Sequence, residues 1–209
     1  MGVDGRLFRN LKLNGCNIIH IKWQTPLKSE LLPDYAMRLS EQINTSEPFA
    51  LIGVSFGGMC CVEIAKKLKP VKTFVVSSCK LSKEIPFRIA FWRYLPLHRF
   101  VSDSAYIRGA MIVRRQFGVT NREQKDKFLE MLKVAPKDYF RRAVNCVVTW
   151  NNTVVPDSVV QIHGTADQVL PHKKIDCHYK IKGGNHFMII SKAKEINEII
   201  NKELKGLTS

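Results

Sequence analysis

Residues 49–54 run almost without interruption through apolar side chains and lead straight into Gly53-Val54-Ser55-Phe56-Gly57-Gly58. A strand that is apolar on both faces belongs inside a parallel sheet with layers above and below it. The next stretch has the period of a helix: Met59, Val62, Ala65 and Leu68 recur on one side until Pro70 ends the pattern. The three pieces read as strand, tight turn and helix, with a serine at the corner. That order commits the chain to an α/β architecture.

The rest of the chain repeats the alternation. Further strands are expected at 17–23, 71–77, 158–163 and 177–182. The last has Tyr179 and Ile181 on one face and Lys180 and Lys182 on the other, the pattern of an edge strand protected by lysines. Asp34 is placed to cap a helix bearing Tyr35, Leu39 and Ile43, and a C-terminal helix aligns Ile196, Ile199, Ile200 and Leu204. From Lys80 to about Asn152 the alternation stops. Thr120 with Glu123 suggests a capping box and Pro136 a first helical turn, so three or four short helices are expected there, without a strand. The expected organisation is an N-terminal part of the core at 1–79, a helical cap insertion at 80–152, and a C-terminal part of the core at 153–209.

A serine hydroxyl needs a neighbouring base, and the base needs a third group to orient it. Ser55 sits where a helix N-terminus would turn free N–H groups toward a developing negative charge. Of the six histidines, His20 and His98 fall in an early strand and in the insertion; His163, His172 and His178 fit structural positions. His186 lies in Gly183-Gly184-Asn185-His186-Phe187, a glycine-hinged loop between the last strand and the last helix. Asp167, in His163-Gly164-Thr165-Ala166-Asp167-Gln168-Val169-Leu170-Pro171, follows the fourth strand, at the carboxyl end where sites of open α/β sheets lie. Asp157 and Asp176 precede their strands and fall at the opposite end.

On these three motifs, in this order, the chain resembles the α/β-hydrolase superfamily along essentially its whole length. The resemblance implies a mostly parallel sheet flanked by helices with an inserted helical cap. It also implies Ser55 as nucleophile, Asp167 as orienting acid, His186 as general base, and the backbone N–H groups of Phe56 and Met1 as oxyanion donors. The implied activity is hydrolysis of a small carboxylic ester or thioester through an acyl-enzyme, without cofactor or metal. A catalytically weak, ligand- or partner-binding relative is the alternative. The front of the chain departs from the pattern: Gly2 to Phe8 looks like the donor loop, and the strand that should precede it is missing. If so, the strand at 17–23 would stand a gap away from that at 49–54, and an apolar strand of roughly six residues is expected upstream of Gly2. The rival expectation is that the two strands close up and pair.

Composition sets bounds. With 45% hydrophobic and 24% charged residues the 209-residue chain is globular, and no apolar run approaches a membrane span. Nothing at the N-terminus reads as a signal peptide, and Arg6 stands where a myristoylation signal needs Ser or Thr, so a cytoplasmic protein is expected. The six cysteines form no C-x-x-C pair and are expected to be reduced and buried. Lys and Arg outnumber Asp and Glu 33 to 18, a net charge of +15, which suits nucleic acid, an anionic membrane or an anionic substrate. Between Lys80 and Asn145 there are 15 basic and 6 acidic residues. This reads as a solvated helical face, with an anionic acyl substrate as the other reading. No nucleic-acid module accompanies the charge, so nucleic acid is not expected. Phe87, Phe91, Trp92, Tyr94, Tyr106, Phe117 and Trp150 are expected in the core of the insertion or the wall of a pocket.

Overall fold

The computed structural model describes residues 5–205. Four parallel strands, β1 (Ala50–Val54), β2 (Lys72–Val76), β3 (Val159–Gly164) and β4 (Tyr179–Ile181), pair in chain order. Val54 lies opposite Val76, Val76 opposite Ile162, and Ile162 opposite Tyr179, so the carboxyl ends of the strands open on one side. Helix α1 (Leu32–Ser40) precedes β1, and α2 (Phe56–Leu68) joins β1 to β2. Helices α3 (Phe87–Ala90), α4 (Asp103–Ile112), α5 (Arg122–Lys133) and α6 (Tyr139–Thr149) fill the connection from β2 to β3. The chain closes with α7 (Met188–Ser191) and α8 (Ala193–Lys205).

Burial follows the apolar pattern. Phe74, Val75 and Val76 of β2 and Ile162 of β3 are buried, covered by α2 and by α8, which contributes Ile196 and Ile200. At β4, Ile181 is buried and Lys180 exposed, as the alternation predicts for an edge.

The segment 17–23 is not a strand. Its β-branched residues favour extended backbone, but among the described residues no neighbouring strand offers a ladder, and Ile19 is 69% exposed. Gln42 takes the place of a strand partner, accepting from Lys22 N–H at 3.0 Å and donating to Lys22 O at 3.1 Å. On the other side of the gap, β1 spends its odd-numbered residues on β2: Ser55 N–H donates to Val76 O and Phe49 O accepts from Val71 N–H. The N–H and C=O groups of Ala50 and Ile52 therefore point away from the sheet. Residues 17–23 and β1 do not pair.

Helix starts also differ from the sequence pattern. Pro33, in the first turn of α1, occupies the helix entry and puts Asp34 inside the helix, while Ile43 falls beyond its end. The capping box of α5 uses Asn121 and Gln124, one residue after the expected Thr120 and Glu123; both registers offer an oxygen, and the Asn121 side-chain Oδ1 accepts from Gln124 N–H at 2.8 Å. Pro136 lies before α6, whose cap, Asp138, has a left-handed backbone. Of the aromatics expected inside, Trp150 is buried and Tyr106 and Phe117 half-buried, but Phe87, Phe91, Trp92 and Tyr94 are exposed, because α3 and the turn after it rest on α6 by one side only. Cys60, Cys61, Cys79 and Cys146 are buried free thiols, with burial pushing the Cys61 and Cys146 thiols up to about 12; Cys177 is half-buried and Cys16 exposed. Among the described residues no helix is long and apolar enough to cross a membrane.

Candidate active site

Ser55 occupies the corner between β1 and α2 with φ 55° and ψ −123°, a backbone region that a non-glycine residue enters only when its surroundings force it. The surroundings are small residues. A Cβ on Gly53 would collide with the Gly57 carbonyl, and one on Gly58 would come within 2.6 Å of Ser78. Ser55 N–H donates to Val76 O at 3.0 Å, and its carbonyl accepts from Gly58 N–H at 2.9 Å and Ser78 Oγ at 2.5 Å. Ser78, just past β2, thus holds the corner from below; two serines closing an apolar strand are the only sequence trace of it. Phe56 begins α2, so its N–H has no acceptor within the helix. Its ring is locked between Trp23 and Tyr35, with centroids 5.7 and 5.9 Å away.

Asp167 and His186 come together from the loops after β3 and β4. Those loops lie so close that a Cβ on Gly164 would strike the carbonyl of Gly184. Thr165 N–H donates to Ile181 O at 3.0 Å, Ala166 N–H to Gly184 O at 2.9 Å, and Gly183 N–H to Thr165 Oγ1 at 2.9 Å. Asp167 Oδ1 accepts from the N–H groups of Val169 and Leu170 at 2.8 and 2.9 Å. Its Oδ2 is 2.8 Å from His186 Nδ1, and both side chains are buried. A carboxylate there holds the proton on Nδ1 and leaves the Nε2 lone pair free.

His163 supports the same loop. Its Nε2 lies 2.8 Å from Leu170 O and 3.6 Å from Asp167 Oδ2. Burial holds its pKa below the ordinary histidine value, so the neutral ring donates to the carbonyl. From the connection between β2 and β3, Phe117 packs edge-on against His186 with centroids 5.4 Å apart, and Phe187 N–H donates to Phe117 O at 3.3 Å.

Ser55 and His186 line one cavity of about 1050 Å³, walled by the connection from β2 to β3 through Trp92, Tyr106 and Phe140. Among the described residues no hydrogen bond joins Ser55 to His186. The cavity continues along the outer edge of β1, where Ile18, Ile21, Ala50 and Ile52 line it. Met1 lies outside the described residues. No group of His, Cys, Asp and Glu among the described residues could hold a metal ion.

No family model and no curated protein matches the sequence. Solved structures do match the fold. A thermophilic esterase superposes with a TM-score of 0.66 at 18% identity, covering 99% of this chain and 87% of that one. A lipase-esterase related protein from Clostridium acetobutylicum gives 0.58 at 18% identity, covering 96% and 90%. ClbQ, from the colibactin NRPS/PKS pathway, gives 0.52 at 14% identity, covering 85% and 78%. The chain has the α/β-hydrolase fold: a parallel sheet flanked by helices.

Proposed function

We propose that the protein is a serine hydrolase that cleaves a small carboxylic ester or thioester. The observation that carries this reading is the buried 2.8 Å pair of His186 and Asp167 in the wall of the cavity that holds Ser55. Ser55 Oγ attacks the acyl carbon while His186 Nε2 takes its proton. The oxyanion that forms meets Phe56 N–H at the N-terminus of α2. Collapse expels the alcohol or thiol, which takes the proton back from His186, and the acyl group stays on Ser55. Water, activated by the same imidazole, then releases the acid. Asp167 keeps His186 in the working tautomer. The insertion acts as a cap over the acyl group. Esterases among the structural neighbours agree with this chemistry at the level of fold.

A second reading, a binding protein with little turnover, draws on the missing Ser55–His186 hydrogen bond and the unpaired edge of β1. A panel of short- and medium-chain p-nitrophenyl esters and acyl thioesters separates the two. Hydrolysis by the wild type that falls to background in Ser55→Ala supports the enzyme. Equal background rates for both support the binding protein.

A further inference from the structure

The insertion leaves one face uncovered. Phe87, Tyr94 and Phe100 are 69%, 76% and 85% exposed, with Phe91, Trp92 and Leu97 exposed beside them. They sit on α3, on the turns at Phe91–Arg93 and Leu97–Phe100, and beside them, and these three elements all rest on α6; the Phe87 and Phe91 rings are 5.9 Å apart. Soluble proteins seldom leave such a patch without a partner for it.

Charge says which partner. Arg88, Arg93 and Arg99 are exposed within this stretch, and residues 85–102 contain no Asp or Glu. Among the described residues the three guanidinium groups donate only to neutral acceptors: Arg88 to the Gln168 and Val169 carbonyls, Arg93 to those of Val148 and Trp150, and Arg99 to the Asn145 side chain. These bonds hold the cations in place without neutralising them. Exposed aromatic rings, leucines and uncompensated arginines clustered in one stretch are what the boundary between lipid headgroups and acyl chains accommodates, with the arginines on the phosphates. A single-stranded nucleic acid would use the arginines and rings but leave Leu95 and Leu97 in water.

We propose that this face docks the protein on the surface of an anionic phospholipid bilayer. Association is peripheral. The same stretch contributes Ile89, Trp92 and Val101 to the wall of the cavity that holds Ser55, so docking sets that wall against the acyl boundary. The proposal does not depend on turnover, and its test reads binding alone.

The test is co-sedimentation of the full chain with vesicles of phosphatidylcholine alone and of phosphatidylcholine with about a third phosphatidylglycerol. The wild type should partition onto the anionic vesicles about tenfold more strongly than onto the neutral ones, and less as salt rises. The combined variant Phe87→Ser, Tyr94→Ser, Phe100→Ser, none of which lines the cavity, should lose about tenfold of that partition with its circular-dichroism melt unchanged. If its melt shifts, Phe100→Ser alone should still lose about threefold. Four results would overturn the proposal: no sedimentation of wild type, equal partition to both vesicles, full binding by the variants, or a patch-dependent dimer in analytical ultracentrifugation. Displacement from the vesicles by a single-stranded oligonucleotide at low salt would also reject it, in favour of nucleic acid.

Discussion

The two flanks of Ser55 are built by different means. On one side of β1 the sheet continues through β2 and β3 to β4, and the loops beyond β3 and β4 are sewn together by backbone hydrogen bonds and by glycines too close to tolerate a Cβ. Asp167 and His186 are consequences of that closeness. On the other side β1 ends the sheet among the described residues, the polar groups of Ala50 and Ile52 face the cavity, and residues 17–23 are held without a ladder, by the Gln42 side chain on Lys22 and by the Trp23 ring stacked on Phe56. A site can thus be fully assembled on the side where the sheet continues and loosely bounded where it stops. Substitution, exchange and titration can each strain one flank and leave the other in place.

The largest expected effect belongs to Asp167→Asn. The amide would present a donor or a weaker acceptor to His186 Nδ1 and favour the wrong tautomer, so ester turnover should fall by about four orders of magnitude. The fold should survive, because Val169 and Leu170 N–H can still bond to the amide oxygen. A loss below about tenfold would separate Asp167 from the reaction.

Gly164→Ala strains the same flank mechanically. Its methyl group would meet the Gly184 carbonyl and force the two loops apart, at a cost of about 2–3 kcal/mol in urea unfolding. The corresponding change at Gly15, on the other flank, has nothing within 4 Å to strike but does require φ +67°. It should cost about 1 kcal/mol.

Amide exchange reads the contrast within one strand. Ile52 N–H faces the cavity and Gly53 N–H faces β2, so Ile52 should exchange about a hundredfold faster than its neighbour. Similar protection at both would mean that the outer edge of β1 is paired.

The smallest effect is a pH dependence. His163 is buried and its pKa is held down by that burial, so the unfolded chain binds a proton at higher pH than the native one. Stability from the neutral ring is therefore complete above the unfolded value of about 6.5 and declines as the pH falls from there toward the native value. His98, also lowered by burial, acts in the same direction. The midpoint of thermal unfolding should drop between pH 7.5 and 5, and drop less in His163→Gln. Equal drops would assign the effect elsewhere.

What the sequence reveals divides along the same line. The β1–Ser55–α2 unit is legible because its causes are local: an apolar run, glycines on either side of the serine, and a helix period behind it. Asp167 and His186 are legible because each sits a few residues past a strand whose pattern is clear. Residues 17–23 have strand-like composition, but a strand exists only through its ladder, and composition does not say whether a partner is there. Helix entries slip by a residue where two neighbours can both cap, as Thr120 and Asn121 can. The exposed aromatics of residues 87–100 are unreadable for a similar reason: nothing local tells a ring packed on α6 from one pointing away from it.

The most direct measurement is labelling with a serine-directed fluorophosphonate, read by intact mass and by the modified peptide. A nucleophilic Ser55 predicts one adduct on wild type, located at Ser55, none on Ser55→Ala, and labelling slowed by orders of magnitude in His186→Ala. An unlabelled wild type, or equal labelling of wild type and Ser55→Ala, would contradict it.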